Sequence, residues 1–173
     1  MQKIIDSVRF AVKEKNFYVA LVTALTIPDI CVALEHGKTT GAEYSKWFET
    51  NLVDYKRSLS GNDCYALRCS ILHQGIDDIS EQKRQDVLEH YVFLTEGPHR
   101  NLIKNCTFKK GTEQVTVSFL QLNVGKFCED ICKASEVWLK GNIEKGNIKK
   151  RITKILEIHE PGYTHMGVIK FGE

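Results

Sequence analysis

The sequence predicts a mainly α-helical protein: a helical bundle carrying a small antiparallel three-stranded β insertion at about residues 90–120. Three observations predict it. Apolar residues recur at helical spacing through the first 75 positions and again from 123 onward. Between 91 and 120 the β-branched and aromatic content rises and the pattern takes a period of two. No internal repeat, low-complexity tract or linker divides the 173 residues, a length that suits one domain with a proper core.

The elements follow in order. Ile4, Ile5, Val8, Ala11 and Val12 mark an opening amphipathic helix. Asn16 is placed to cap a second, from about Phe17 to Glu35, which His36-Gly37 ends. Pro28 should kink or restart that helix, with Thr26 and Asp29 as a capping box for the restart. "GAEYSKWFETNLVDY" sets Tyr44, Trp47, Phe48, Leu52 and Tyr55 on one face of a third helix. "SGND" is a turn whose Asn62 or Asp63 caps a fourth, closed by Gly75 in a left-handed conformation.

A short polar helix is expected over 81–89, followed by strands at "YVFLT", "LIKNCTF" and "QVTVSFL", with turns at Gly97-Pro98 and Lys110-Gly111. In the third strand Val115, Val117 and Phe119 alternate with Thr116 and Ser118, giving one buried and one wet face. Helix resumes at Asn123 with the stripe Val124, Phe127, Ile131, Ala134 and Trp138, closed by Gly141. A last helix carries Ile148, Ile152, Ile155 and Leu156 and stops at Pro161-Gly162. We read residues 1–173 as a single domain. Its parts are a helical region (1–89, with the key helix at 62–75), the β insertion (90–120), two C-terminal helices (121–158) and a tail (159–173) that adds a strand or clasps a neighbour.

Composition narrows the function classes. The net charge of +2 excludes an overall polyanion-binding signature, so affinity for nucleic acid must come from a local patch. Six cysteines could suggest a disulfide scaffold, but Cys64, Cys69, Cys128 and Cys132 sit in apolar periodic segments, where free Cys acts as a small core residue. No C-x-x-C pair occurs and the usual zinc spacings are missing, so no metal and no other cofactor is expected. Six reduced thiols point to the cytoplasm. The apolar run "FYVALVTALTIPDICVAL" is broken by Pro28-Asp29, and a charge near mid-span is costly in a bilayer, which favours a buried helix over a membrane span.

The stretch "DCYALRCSILHQG" holds the residues best suited to chemistry. Arg68 and His73 are five apart on one Gly-terminated helix, flanked by core residues. An imidazole moves protons near neutral pH, and a guanidinium offers a planar fork of donors to a phosphate. A second pair of similar spacing, Arg84 and His90, spans a change from helix to strand and has no single element to hold it. Five helical positions put Arg68 and His73 about 140° apart around the axis, so the arginine must wrap round for the two to meet. Cys69 and His73, four apart, offer thiol chemistry as an alternative. Asn62 and Asp63 are possible auxiliary polar groups.

An all-helical bundle with R-x-x-x-x-H late in one helix resembles the HEPN superfamily, and "YALRCSILHQG" is similar to a signature of small uncharacterised bacterial proteins. The resemblance implies a metal-independent endoribonuclease of bacterial defence or toxin–antitoxin type, with Arg68 and His73 as catalytic pair. It also implies a homodimer that completes its groove across a two-fold axis, and a possible cognate antitoxin or other protein partner. Cys69 stands where many active members carry Asn or Asp. HEPN-like bundles also serve as non-catalytic interaction modules, the alternative reading here. From Trp138 to Ile158 six basic side chains face two acidic ones, a local +4. Lys145, Lys149, Lys150, Arg151 and Lys154 are accordingly the candidate RNA-binding residues.

Overall fold

A computed structural model describes residues 1–77, 79, 90–110, 113–159, 164–165 and 169–170. Among the described residues, six α-helices, a three-stranded sheet and a two-stranded one are formed. Helix α1 (Gln2–Lys13) buries Ile5, Val8 and Ala11. It packs on α2 (Phe17–His36), whose N-cap is Asn16, as the sequence reading has it. Helix α2 is the hub: it touches each of the other five helices. It is long and apolar enough to cross a membrane by length and composition. Half of its most apolar window is buried inside the fold.

Pro28 neither ends nor restarts α2, which runs through it as one helix. Thr26 does not cap a new start; its hydroxyl donates to the Thr23 carbonyl one turn back. The proline is buried among neighbours, and the Tyr44 hydroxyl donates to the Leu25 carbonyl, adding a bond in the turn where proline has no N–H to give. Tertiary packing overrides the local breaker. Gly37, at φ +89°, closes the helix.

Helix α3 (Gly41–Asn51) begins with a complete capping box between Thr40 and Glu43, and a 3₁₀ turn (Val53–Tyr55) follows. Together they bury Tyr44, Trp47, Phe48, Leu52 and Tyr55, the face read from the sequence. Helix α4 (Gly61–Gln74) crosses α3 so closely that a carbon on Gly61 would overlap the Ser45 backbone. Its cap is Ser60, not Asn62 or Asp63: the Ser60 hydroxyl accepts from the Asp63 N–H at 3.0 Å. Gly75, at φ +72°, ends it as expected. The polar helix read over 81–89 lies outside the described residues.

Strands β1 (His90–Leu94), β2 (Asn101–Lys110) and β3 (Glu113–Asn123) form a sheet in the order β1-β3-β2. The sheet is mixed, not wholly antiparallel: β2 pairs antiparallel with β3, while β1 runs parallel to β3, His90 opposite Phe119 and Leu94 opposite Asn123. A chain that enters on one edge and returns through a hairpin on the far side meets the central strand in the same direction. The buried face of β3 also differs from the reading. Leu120 and Leu122 are fully buried, whereas Val115, Val117 and Phe119, of the opposite parity, are only half-buried. The core lies under the end of β3 that leads into α5, so parity there decides which residues face it.

Asn123 ends β3 and caps α5 (Val124–Asn142), accepting from the Lys126 N–H at 2.9 Å. The α5 stripe is buried at Val124, Phe127, Ile131 and Trp138, with Cys128, Cys132 and Ser135 beside it. Helix α6 (Gly146–Ile152) stops well before Pro161; Ile155 is half-buried and Leu156 exposed beyond its end. Two short strands in the tail, β4 (Thr164–His165) and β5 (Ile169–Lys170), pair antiparallel. All six cysteines are free. Cys31, Cys64, Cys128 and Cys132 are buried, but Cys69, read as a core residue, is half-buried like Cys106.

Candidate functional site

Helix α4 carries Arg68 and His73 toward its C-terminal end, and Asp29 reaches them from the middle of α2. Arg68 Nε donates to Asp29 Oδ2 at 2.9 Å, with both side chains about four-fifths buried. The opposite edge of the guanidinium turns along its own helix, and Arg68 Nη1 lies 3.4 Å from His73 Nε2. The Asp29 contact is what bends the arginine around the helix. Burial pushes the Asp29 carboxyl up from its ordinary range, and Arg68 offsets only part of that. For Arg68, burial works against the charge, but Asp29 outweighs it and the guanidinium pKa is raised.

Beneath the pair, Tyr65 and Tyr44 pack ring on ring with centroids 5.3 Å apart, and the Tyr44 hydroxyl contacts Cys64 Sγ at 3.7 Å. Burial first, and a hydrogen bond with Cys69 second, raise the Tyr65 phenol. Cys69 thus lies within hydrogen-bonding reach of Tyr65 and of Arg68. Asn62 and Asp63 stand at the other end of α4, about 15 Å from His73 along the helix axis. Ser45 Oγ donates to Asn62 Oδ1 at 3.0 Å, Asp63 is buried, and its carbonyl accepts from the Tyr91 hydroxyl at 2.9 Å. Both knit elements together instead of joining the Arg68–His73 pair.

The basic run after Trp138 divides in the same way. Arg151 Nη1 donates to the carbonyls of Leu34 and Glu35 at 3.0 and 2.7 Å, capping the C-terminus of α2. Lys145 pairs with Glu35 at 3.5 Å and Lys149 with Glu144 at 3.3 Å. Lys150 and Lys154 are exposed. Arg84, partner in the second Arg/His spacing, lies outside the described residues.

A second polar constellation had no signature in the sequence. Tyr55, from the 3₁₀ turn, donates its hydroxyl hydrogen to Asp130 Oδ2 of α5 at 2.8 Å. His99, in the turn between β1 and β2, places Nε2 2.9 Å from that phenol oxygen and 3.2 Å from the same carboxylate oxygen. With the phenol hydrogen committed to Asp130, His99 Nε2–H donates to both oxygens and Nδ1 carries the lone pair. Nδ1 is buried and has no partner. Burial lowers the His99 pKa, Asp130 opposes that, and the cations of Arg100 and Lys126 reinforce it. The ring is held neutral. Burial and the neighbouring Asp130 push the Tyr55 phenol far above its ordinary value.

These groups border an open cleft of about 620 Å³ between the β1–β2 turn (Gly97 to Arg100) and the first three turns of α5. The Arg100 guanidinium stacks 5.3 Å above the Tyr55 ring. Among the described residues no group of three or more His, Cys, Asp or Glu is arranged to hold a metal ion. No family model, no curated protein and no solved structure matches the chain.

Proposed function

We propose that this chain is a metal-independent endoribonuclease of the bacterial defence or toxin–antitoxin kind, acting in the cytoplasm through Arg68 and His73. The observation that carries the reading is the 3.4 Å approach of the two side chains, with the arginine braced at its other edge by Asp29. In the reaction the ribose 2′-oxygen attacks the adjacent phosphorus, the bond from phosphorus to the 5′-oxygen breaks, and a 2′,3′-cyclic phosphate and a 5′-hydroxyl result. One proton leaves the 2′-hydroxyl and one reaches the departing oxygen. His73 serves one of these transfers, and the His73 of a second copy across a homodimer groove serves the other. Arg68 stabilises the charge that grows on the phosphorane oxygens. Lys150 and Lys154 remain available to phosphates of the strand.

The test is incubation with single-stranded RNA in EDTA and analysis of the ends. Fragments with 2′,3′-cyclic phosphates that vanish with His73→Ala support the reading; cleavage that survives the substitution, or no cleavage by the purified protein, defeats it. One observation favours the alternative, a non-catalytic interaction module. Arg68 is already engaged by Asp29, so a purely structural ion pair accounts for its burial. In that reading β1 and β2, the outer strands of the described three-stranded sheet, offer a partner protein, an antitoxin among them, two edges to pair with.

A further inference from the structure

We propose that the groove between α3 and α5 binds an extended peptide segment. Trp47, Asn51, Trp138 and Asn142 hold its main chain, and the hollow beyond them takes one arginine or lysine side chain. The inference is independent of the Arg68–His73 reading, since none of these residues lies on α4.

A pattern that recurs on two helices is the first argument. Trp47 and Asn51 stand four apart on α3, and Trp138 and Asn142 stand four apart on α5. In each pair the carboxamide Nδ2 donates to the tryptophan carbonyl one turn back, at 2.8 and 2.6 Å. The bond fixes the carboxamide and spends its nitrogen. Among the described residues neither Oδ1 accepts a hydrogen bond.

Both pairs line one cavity of about 510 Å³, and the two indoles meet edge to face with centroids 6.4 Å apart. Trp47 brings to it an indole N–H that is buried and lacks a partner. A small turn of that ring toward a ligand carbonyl exchanges an unmet donor for a bonded one. Two fixed acceptors and a donor match the alternating N–H and C=O groups of a peptide strand.

The hollow identifies the side chain. About 400 Å³ in volume, it shares Thr50 and Asn51 with the cavity and continues along α5 toward Asp130. Its wall is apolar at Val53, Ala134 and Val137 and acidic at Asp54 and Asp130. Asp130 is bonded to Tyr55 and to the neutral His99, so it keeps its charge. Lys133, also in the wall, is drawn to Glu129 at 3.8 Å, and Arg100 touches Asp54 at 3.5 Å, where water screens the pair. Arginine and lysine join an apolar stem to a cationic head, the two surfaces set side by side here. The length fits as well. Asp130 and Asn142 lie about 18 Å apart along α5, the reach of about five extended residues.

The chain has two tryptophans and both line the cavity, so intrinsic fluorescence reports its occupancy. The probe is the blocked pentapeptide acetyl-Ala-Ala-Arg-Ala-Ala-amide. A saturable change in emission is expected, with a Kd below about 1 mM. The citrulline peptide, which keeps the shape and loses the charge, should bind at least about tenfold more weakly. So should a peptide N-methylated at the residues flanking the arginine, which has lost main-chain donors. Val53 and Val137 are 65% and 74% exposed and Asp54 is 81% exposed, so substitutions there leave folding intact. Val137→Lys and Asp54→Lys set a cation in the hollow, and each should weaken binding by about tenfold. No saturation below about 10 mM, equal binding of either altered peptide, or binding unchanged in both variants overturns the proposal.

Discussion

Arg68 Nη1 and His73 Nε2 meet at 3.4 Å although their positions on α4 are about 140° apart around the axis. Only an arginine pulled sideways spans that angle, and Asp29, projecting from the middle of α2, does the pulling. The pair is thus a three-residue assembly anchored in the central helix.

Arg68→Ala should destabilise the protein by about 2 kcal/mol, because it strands the mostly buried Asp29 carboxylate. Urea unfolding measures this. Arg68→Lys should recover only part of the loss, since an ammonium cannot bridge Asp29 and His73 with the same planar fork. A change below about 0.5 kcal/mol for Arg68→Ala would show that the ion pair contributes little.

His73→Ala should leave stability within about 0.5 kcal/mol of the parent, as its single long contact with Arg68 is exposed. Any RNA cleavage should disappear with it. Loss of cleavage with intact melting separates chemistry from folding.

The His99 imidazole provides a pH signature. Its pKa is lowered in the folded protein, so the unfolded chain takes up the proton first as pH falls. Stability from this group is therefore present above the ordinary histidine value of 6.5 and is lost as pH drops through the lower folded value. Denaturation midpoints measured downward from pH 7 should fall for the parent and fall less for His99→Asn. Parallel curves would remove His99 as the source.

Tyr55→Phe should cost about 1–3 kcal/mol, because the hydroxyl serves both Asp130 and His99 in a half-buried network. Chemical denaturation gives the value. The double variant with Asp130→Ala should lose less than the sum of the singles, the mark of residues that share a bond.

Gly61→Ala should destabilise by about 3 kcal/mol despite the better helix propensity of alanine, since the added methyl meets Ser45 backbone and not a movable side chain. A neutral result by thermal melting would mean that α3 and α4 can move apart freely.

Helices were legible wherever one apolar stripe meets the core: α1, α3 and α5 follow their patterns closely, while α4, which has no such stripe, was readable from its opening turn and from Gly75. Pro28 misled because the rule for proline is local, whereas the surroundings of α2 hold it on five sides. Ser60 was overlooked as cap in favour of Asn62 and Asp63, which have similar capping preference and lie only two and three residues on. Strand positions were readable from composition, but the order β1-β3-β2 was not, since pairing depends on contacts far apart in the chain. In the candidate site the Arg68–His73 spacing was visible while its brace, Asp29, was not. Tyr55, His99 and Asp130 come from three elements, and each looked ordinary alone. Arg151 looked like surface charge, and only the fold reveals that it closes the end of α2.

The position of β3 between its two neighbours also sets an order of events during synthesis. His90–Leu94 leaves the ribosome before Asn101–Lys110, yet its partner strand is completed only after both. At common elongation rates His90 waits roughly 1.5–6 s for Phe119. The hairpin of β2 and β3 can close locally in the meantime, and β1 then joins an edge that already exists. In the interval Tyr91, fully enclosed in the folded protein, has its α4 partner, the Asp63 carbonyl, already synthesised but not yet its neighbours on β3.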